Sequence, residues 1–110
     1  MEPIKYEDFK KLDLRIAEII KVEKIENTDK LLKLTINLGE KTQEIVSGIA
    51  LQYNTEELIG KQIVVLTNLE TKILKGVESN GMLLAAVNEK NDKIALLVPD
   101  KKMEPGDLIK

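Results

Sequence analysis

The sequence contains no cysteine and no histidine. Without thiols there are no disulfides to staple the fold and no thiolate chemistry, and a reducing compartment suits the chain. With both ligand types missing, a tetrahedral zinc site is nearly excluded, as is catalysis built on imidazole. No other feature of the sequence asks for a metal or a cofactor. Aromatic side chains are almost as scarce, with no tryptophan and only Tyr6, Phe9 and Tyr53. Phe9 reads as core-facing, and both tyrosines fall outside the strand patterns. Stacking platforms for single-stranded bases, worth ~1–3 kcal/mol per base, are therefore lacking. Arginine occurs once, at Arg15, among 17 basic residues. No apolar run approaches the roughly 20 residues that cross a bilayer, and no signal-peptide pattern opens the sequence. The expectation is a cytoplasmic protein with no membrane partner.

What is present is ordinary in bulk: 110 residues, 43% hydrophobic, 33% charged, net charge −2. Such a chain is expected to be one domain over residues 1–110 with one modest core. Nucleic-acid binders often run basic, yet the distribution of charge rather than its sum decides the local field.

Hydrophobic periodicity supplies the elements. Tyr6 to Leu12 reads as an amphipathic helical turn. Leu14 to Ile25 reads as a strand whose phase shifts near Ile19-Ile20, the signature of a bulge or bend. Leu32, Leu34, Ile36 and Leu38 alternate with polar residues, and Gln43 to Ile49 follows a Gly39 turn as a third strand. Asn54-Thr55-Glu56-Glu57 has the form of a capping box opening a short helix that Gly60 closes. Gln62 to Thr67 and Met82 to Val87 give strands four and five, the latter with a run, Leu83 to Val87, expected to be wholly buried. Lys93 to Val98 is a further strand stopped by Pro99, and Leu108-Ile109 a last short one. Five main strands, a short helix between the third and fourth, and no long crossovers indicate an all-β, five-stranded Greek-key barrel. The oligonucleotide/oligosaccharide-binding (OB) fold has this order. The core is expected over about residues 9–90, with a C-terminal extension over about 91–110.

Between strands four and five lies a segment that a core does not need, Lys72-Ile73-Leu74-Lys75-Gly76-Val77-Glu78-Ser79-Asn80-Gly81-Met82. Its glycines expose backbone N–H groups, and its lysines put positive charge on the same short surface. This is the mixture expected of an anion-binding loop, and the anion in view is a nucleic-acid phosphate.

At this point the motifs resemble a known family, the EMAP-II-like tRNA-binding domain of methionyl-tRNA synthetases and of small stand-alone tRNA-binding proteins. The matching segments are Phe9 to Ile16, Asp29 to Leu32, Ile45 to Ala50, Tyr53 to Gly60, Asn68-Leu69, Lys72 to Gly76 and Ser79 to Met82, in order along the whole chain. The resemblance implies a non-catalytic accessory domain that reads the shape of folded tRNA and is often dimeric through its C-terminal extension. Three departures bear on loop conformation. Thr71 stands where the family commonly has proline, Glu26-Asn27-Thr28 where it has a His-Pro pair, and Asn80 where it has glutamine.

Residue by residue, the expected tRNA contacts are Lys30, Lys33, Asn68, Lys72, Lys75, Ser79, Asn80, Met82 and Arg15. Lysines and Ser79 suit phosphate or ribose oxygens, while Met82 suits a ribose or base face. For Asn68 the alternative is a pin for its loop, for Met82 ordinary core, and for Arg15 an ion pair with Asp13 or Asp29. Ser47, with no histidine to activate it, reads as a strand bend rather than a nucleophile. Ile94, Leu96, Val98, Leu108 and Ile109 exceed what one small barrel needs and are the expected seam of a homodimer. The expected partners are tRNA, a second copy and the catalytic chain of methionyl-tRNA synthetase. Two rivals stand beside this: a peptide-binding export chaperone of the CsaA type on the same fold, and an RNA-processing hydrolase. The second is disfavoured by the lack of histidine, cysteine and clustered carboxylates.

Overall fold

Leu32, Leu34 and Ile36 alternate with Lys33, Thr35 and Asn37, and a period of two makes one strand face apolar and the other polar. In a computed structural model, which describes residues 1–110, these residues form β2 (Leu32–Asn37) with its three apolar side chains fully buried. β2 pairs antiparallel with β3 (Thr42–Ser47) on one side and with β1 (Leu14–Lys24) on the other. β1 serves two partners. Its first half, Leu14 to Glu18, pairs with β4 (Gln62–Leu66), and its second half, Glu18 to Lys24, pairs with β2. The register slips between Ile19 and Lys21, leaving Ile20 outward, and this bulge is the phase shift legible in the sequence. β7 (Met82–Leu83) completes the order β3-β2-β1-β4-β7. The fold is the expected all-β, five-stranded barrel.

Ala17, Ile19, Leu34, Ile45, Ile63 and Val65 meet inside it with no exposed surface. Full burial of each large aliphatic side chain contributes about 1.5–3 kcal/mol. One end is covered by α2 (Thr55–Leu58), whose Leu58 joins the cluster. The capping box is formed: the Glu57 carboxylate accepts the Asn54 backbone N–H at 2.9 Å. The turn near the N-terminus is the short helix α1 (Tyr6–Lys10).

Closure brings the two edge strands together. Asn80 N–H donates to the Glu44 carbonyl at 2.8 Å, and the Val46 N–H donates to the Ser79 hydroxyl at 2.9 Å. That hydroxyl in turn donates to the Gly81 carbonyl at 3.2 Å. Gln43 sends its amide to the carbonyls of Thr67, at 3.2 Å, and Asn80. Gly81 lies so close that a Cβ there would sit 2.8 Å from the Leu66 carbonyl oxygen, and its φ is +122°. Only glycine fits.

Two segments depart from expectation. Lys72 to Ser79 is not a loop but a hairpin of β5 (Lys72–Leu74) and β6 (Val77–Ser79). Its two-residue turn is Lys75-Gly76, with φ of 50° and 79°, the twist-compatible type I′ geometry. The run Leu83 to Val87 is not one buried strand. β7 stops at Leu83, and β8 (Ala85–Asn88) leaves the barrel to pair with β9 (Lys93–Leu96). By Val87 this hairpin has run past the core, and the side chain is 62% exposed.

The last residues lie along the first half of β1. Gly106 N–H donates to the Ile16 carbonyl at 2.7 Å, Ile16 N–H to the Asp107 carbonyl at 2.8 Å, and Ile109 N–H to the Leu14 carbonyl at 2.9 Å. The expected Leu108-Ile109 strand is thereby reduced to a single bridge, Arg15 to Leu108, yet it covers an edge of β1 left open by the switch of partners. Arg15 anchors this strap: Nε donates to the Asp13 carboxylate at 3.0 Å and Nη1 to the Gly106 carbonyl at 3.1 Å. The Arg15 hydrogen bond, seconded by the Thr67 hydroxyl, holds the Asp13 carboxyl below its ordinary 3.8. Asp13 in turn holds the Arg15 guanidinium above its ordinary value.

Gly81→Ala should destabilise the barrel by about 2 kcal/mol or more in urea unfolding, because clash and left-handed strain act together. Gly76→Ala, with φ +79° but nothing within 4 Å of the new methyl, should cost only about 1 kcal/mol. Equal costs would disprove the tight seam. A carboxyl with a depressed folded pKa stabilises above its unfolded value and loses that contribution as pH falls through the folded one. Stability should therefore drop below pH 3.8, and Asp13→Asn should flatten that acid limb in pH-dependent thermal melts.

Candidate nucleic-acid interface

The outer face of β2 and β3 is flanked by two projections, the loop of residues 25–31 and the β5–β6 hairpin. The loop is closed locally: Thr28 donates its hydroxyl to the Ile25 carbonyl at 2.8 Å, and Asn27 takes a left-handed φ of 63°. The hairpin is set by its seam with β3, since Ser79 and Asn80 at its base are the residues that close the barrel. Between the two projections lies a hollow of about 380 Å³, lined by Lys24, Lys33 and Lys75 with Glu23 and Glu26. Lys33 is held at 3.2 Å by Glu44, and Glu23 at 3.5 Å by Lys21, while Lys24 and Lys75 have no ion-pair partner. Type I′ geometry aims the Lys75 backbone outward at the hairpin tip. Two free ammonium groups beside a third are an arrangement that holds phosphate oxygens through charge rather than through sequence-specific bonds.

The other expected contacts fall into two groups. Lys30, Lys72 and Lys75 are exposed and unpaired, and Met82 is 46% exposed, so its side chain is not committed to the core. Ser79, by contrast, is 5% exposed, with its hydroxyl spent between Val46 and Gly81; it closes the barrel instead of facing a phosphate. Asn68 pins a loop, accepting the Asp13 N–H at 3.0 Å and donating to the Lys11 carbonyl at 2.7 Å. Asn80 accepts the Thr71 hydroxyl at 2.7 Å. Arg15 lines a separate hollow with Lys41 and Gly106 and is bound to Asp13 there, away from the lysines. Of the expected seam residues, Leu96 is buried in the barrel core and Ile94 packs against it. Ile109 is half-buried, while Val98 and Leu108 are 53% and 48% exposed.

Sequence reasoning missed Lys24. The bulge-set register places Glu23 across from Lys33 and Lys24 across from Leu32, and Lys24 reaches the hollow from the exposed end of β1, where a period of two no longer assigns it to one face. The Tyr53 hydroxyl accepts the Leu96 N–H at 3.1 Å and its ring packs against the core, whereas Tyr6, outside the strands, is 72% exposed with the Lys10 ammonium 5.6 Å from its ring centre. No helix is long and apolar enough to cross a membrane.

Known proteins resemble this chain in sequence and fold. The family model "Putative tRNA binding domain" matches residues 14–108. The methionine–tRNA ligase of Caldanaerobacter subterraneus subsp. tengcongensis is 51% identical over 106 residues, which is 96% of this chain but 16% of that enzyme. The chain thus spans about one sixth of the length of the curated relatives it matches. Among solved structures, a MetRS related protein from Pyrococcus horikoshii superposes with a TM-score of 0.93 at 36% identity, covering 100% of both chains. The chaperone CsaA of Bacillus anthracis superposes with a TM-score of 0.89 at 33% identity, covering 99% of this chain and 100% of that one. With the family model matched over residues 14–108 and a relative 51% identical over 96% of its length, the chain belongs to the tRNA-binding domain family.

Proposed function

We propose that this protein grips folded tRNA by its phosphates and shape, without catalysis, and that it does so in the cytoplasm in aid of methionyl-tRNA synthetase. The observation that carries the reading is the hollow of Lys24, Lys33 and Lys75, on a chain of this family. Lys30, Lys72 and Met82 extend the contact surface along the two projections. Folded RNA suits such a surface, because shape and phosphate contacts need no stacking platform. The association with the synthetase is supported by the 51% identity to a methionine–tRNA ligase.

The protein acts as a homodimer. Val98 and Leu108, the exposed apolar residues of the extension, form the centre of the seam, with Ile94 and Ile109 at its margin. Two weak basic surfaces on one particle raise the effective concentration of the second for a tRNA held by the first.

The second reading, a peptide-binding chaperone, is favoured by one observation, the likeness to CsaA. Leu69, Ile73 and Met82 give it an apolar surface, being 45%, 68% and 46% exposed near the hairpin. The 51% identity to a methionine–tRNA ligase over 96% of the chain supports tRNA as the first reading.

Titration of bulk tRNA at several salt concentrations, against single-stranded RNA of equal length, tests the first reading. Folded tRNA should bind more tightly, and the slope of log affinity against log salt should fall by about 2 in Lys72→Ala/Lys75→Ala, about 1 for each ammonium group removed from a phosphate. Binding to neither RNA, with capture of unfolded peptide, would establish the chaperone instead. Sedimentation should show a dimer for the native sequence and a monomer for Val98→Glu/Leu108→Glu, and an unaltered mass would place the seam elsewhere.

A further inference from the structure

Beyond the lysine hollow, the same outer face of β2 and β3 continues into a second hollow of about 550 Å³ at the base of the hairpin. Its chemistry is different. Its walls include Thr35, Thr42, Gln43, Glu44, Leu69 and Asn80, with no basic side chain. The single charge, Glu44, is neutralised by Lys33 at 3.2 Å, and that ion pair stands on the boundary between the two hollows. A phosphate finds no attraction here.

The hydrogen-bonding groups divide into used and unused. The Gln43 amide is spent on the Thr67 and Asn80 carbonyls, and the Thr71 hydroxyl on the Asn80 side-chain oxygen. What remains for a ligand is the Thr35 and Thr42 hydroxyls, the Asn80 amide group and the second oxygen of Glu44. Thr35 lies directly across from Glu44 in the ladder, and Thr42 is two residues along β3 on the same face. Diagonal neighbours of this kind stand about 7–8 Å apart at their backbones. That span brackets a sugar ring. Leu69, 45% exposed, adds an apolar side against which a ring can rest.

We infer that this neutral hollow holds a ribose of the bound RNA and that Thr35 and Thr42 read its 2′-hydroxyl. The inference rests on the proposed tRNA binding and makes it more specific. The lysine hollow supplies charge, and the threonine hollow distinguishes RNA from DNA, for which the 2′-hydroxyl is the only local difference. The Lys33–Glu44 pair spaces the two functions along one backbone.

The test uses tRNA assembled from two halves, with 2′-deoxynucleotides in one half at a time, against the full chain and Thr35→Val/Thr42→Val. Valine keeps the branched shape that suits a strand, so folding is preserved. If Thr35→Val weakens folding, Thr42→Val alone, at an exposed position, serves in its place. The expected result is a loss of about tenfold for the native protein with one deoxy half, matching one or two neutral hydrogen bonds. The double variant should be about tenfold weaker on all-RNA tRNA, lose nothing further with that deoxy half, and keep the native salt slope. Equal losses in both proteins would overturn the ribose site while leaving tRNA binding intact. A flattened slope in the variant would overturn it too, by tracing the effect to phosphate. Failure of the native protein to bind all-RNA tRNA would overturn the proposed function itself.

Discussion

The structure depends on the seam between β3 and the segment Ser79-Asn80-Gly81. A five-stranded sheet of order β3-β2-β1-β4-β7 has two edges, and unless they meet, the inner face of every strand is open to water. β7 has only two residues and cannot supply a full ladder. The chain substitutes one side chain for a missing backbone partner, the Ser79 hydroxyl for the Val46 N–H, and adds the Asn80–Glu44 bond and the Gln43 amide. Gly81 permits the approach. A bulkier residue would hold the edges apart at the point where Leu83 turns into the core.

That closure also fixes what projects from it. The β5–β6 hairpin is an excursion between β4 and β7, and its inner strand ends on the very residues of the seam. Its direction is therefore set by the barrel, and Lys75 at its tip arrives beside Lys33 and Lys24 without any contact of its own. Both loops are closed by local hydrogen bonds. Thr71 donates to the Asn80 side-chain oxygen, a hydrogen bond across the hairpin base. In the other loop, Thr28 and the left-handed Asn27 form a tight turn without the His-Pro pair.

The sequence made the barrel legible because its strands obey a period of two against a single core. β2 is its clearest case, and the loss of phase at Ile19-Ile20 marked the bulge. The capping box at Asn54 was legible because both partners lie within four residues. What was hidden depended on partners far along the chain. Ser79 looked like a surface hydroxyl, since nothing local shows that Val46, 33 positions away, lacks a partner. Leu96 looked like seam and is core, and Val87 looked like core and is surface. A run of apolar residues gives burial only while its strand stays on the barrel, and β8 leaves at Leu84. The exposure of Lys75 was legible, because charge at a turn beside glycine needs no distant partner to be seen.

A net charge of −2 sits oddly with a polyanion as ligand, and the geometry resolves it. Near the lysine hollow, Glu23 is matched by Lys21 and Glu44 by Lys33, so the carboxylates there are largely cancelled rather than absent. What reaches solvent is the surplus of Lys24 and Lys75 over the unpaired Glu26, a small field that falls off within a Debye length of about 8 Å at physiological salt. Lysine rather than arginine lines it, and lysine gives point charges without the bidentate geometry that fixes one register. On the proposed reading, such a surface would hold a phosphate wherever one is presented, weakly, and the shape of the groove between the loop and the hairpin would share in the discrimination. A weak, permissive grip gains most from being doubled. The strap that carries Leu108 is tied to β1 by backbone bonds and by Arg15, and the Leu38-Gly39 and Pro105-Gly106 turns interlock so closely that a Cβ on Gly106 would lie 2.2 Å from the Leu38 carbonyl oxygen. In the proposed dimer, a second copy docked on a strap held this firmly would have a fixed orientation toward the first, and two small fields would be presented to one folded RNA as a single surface.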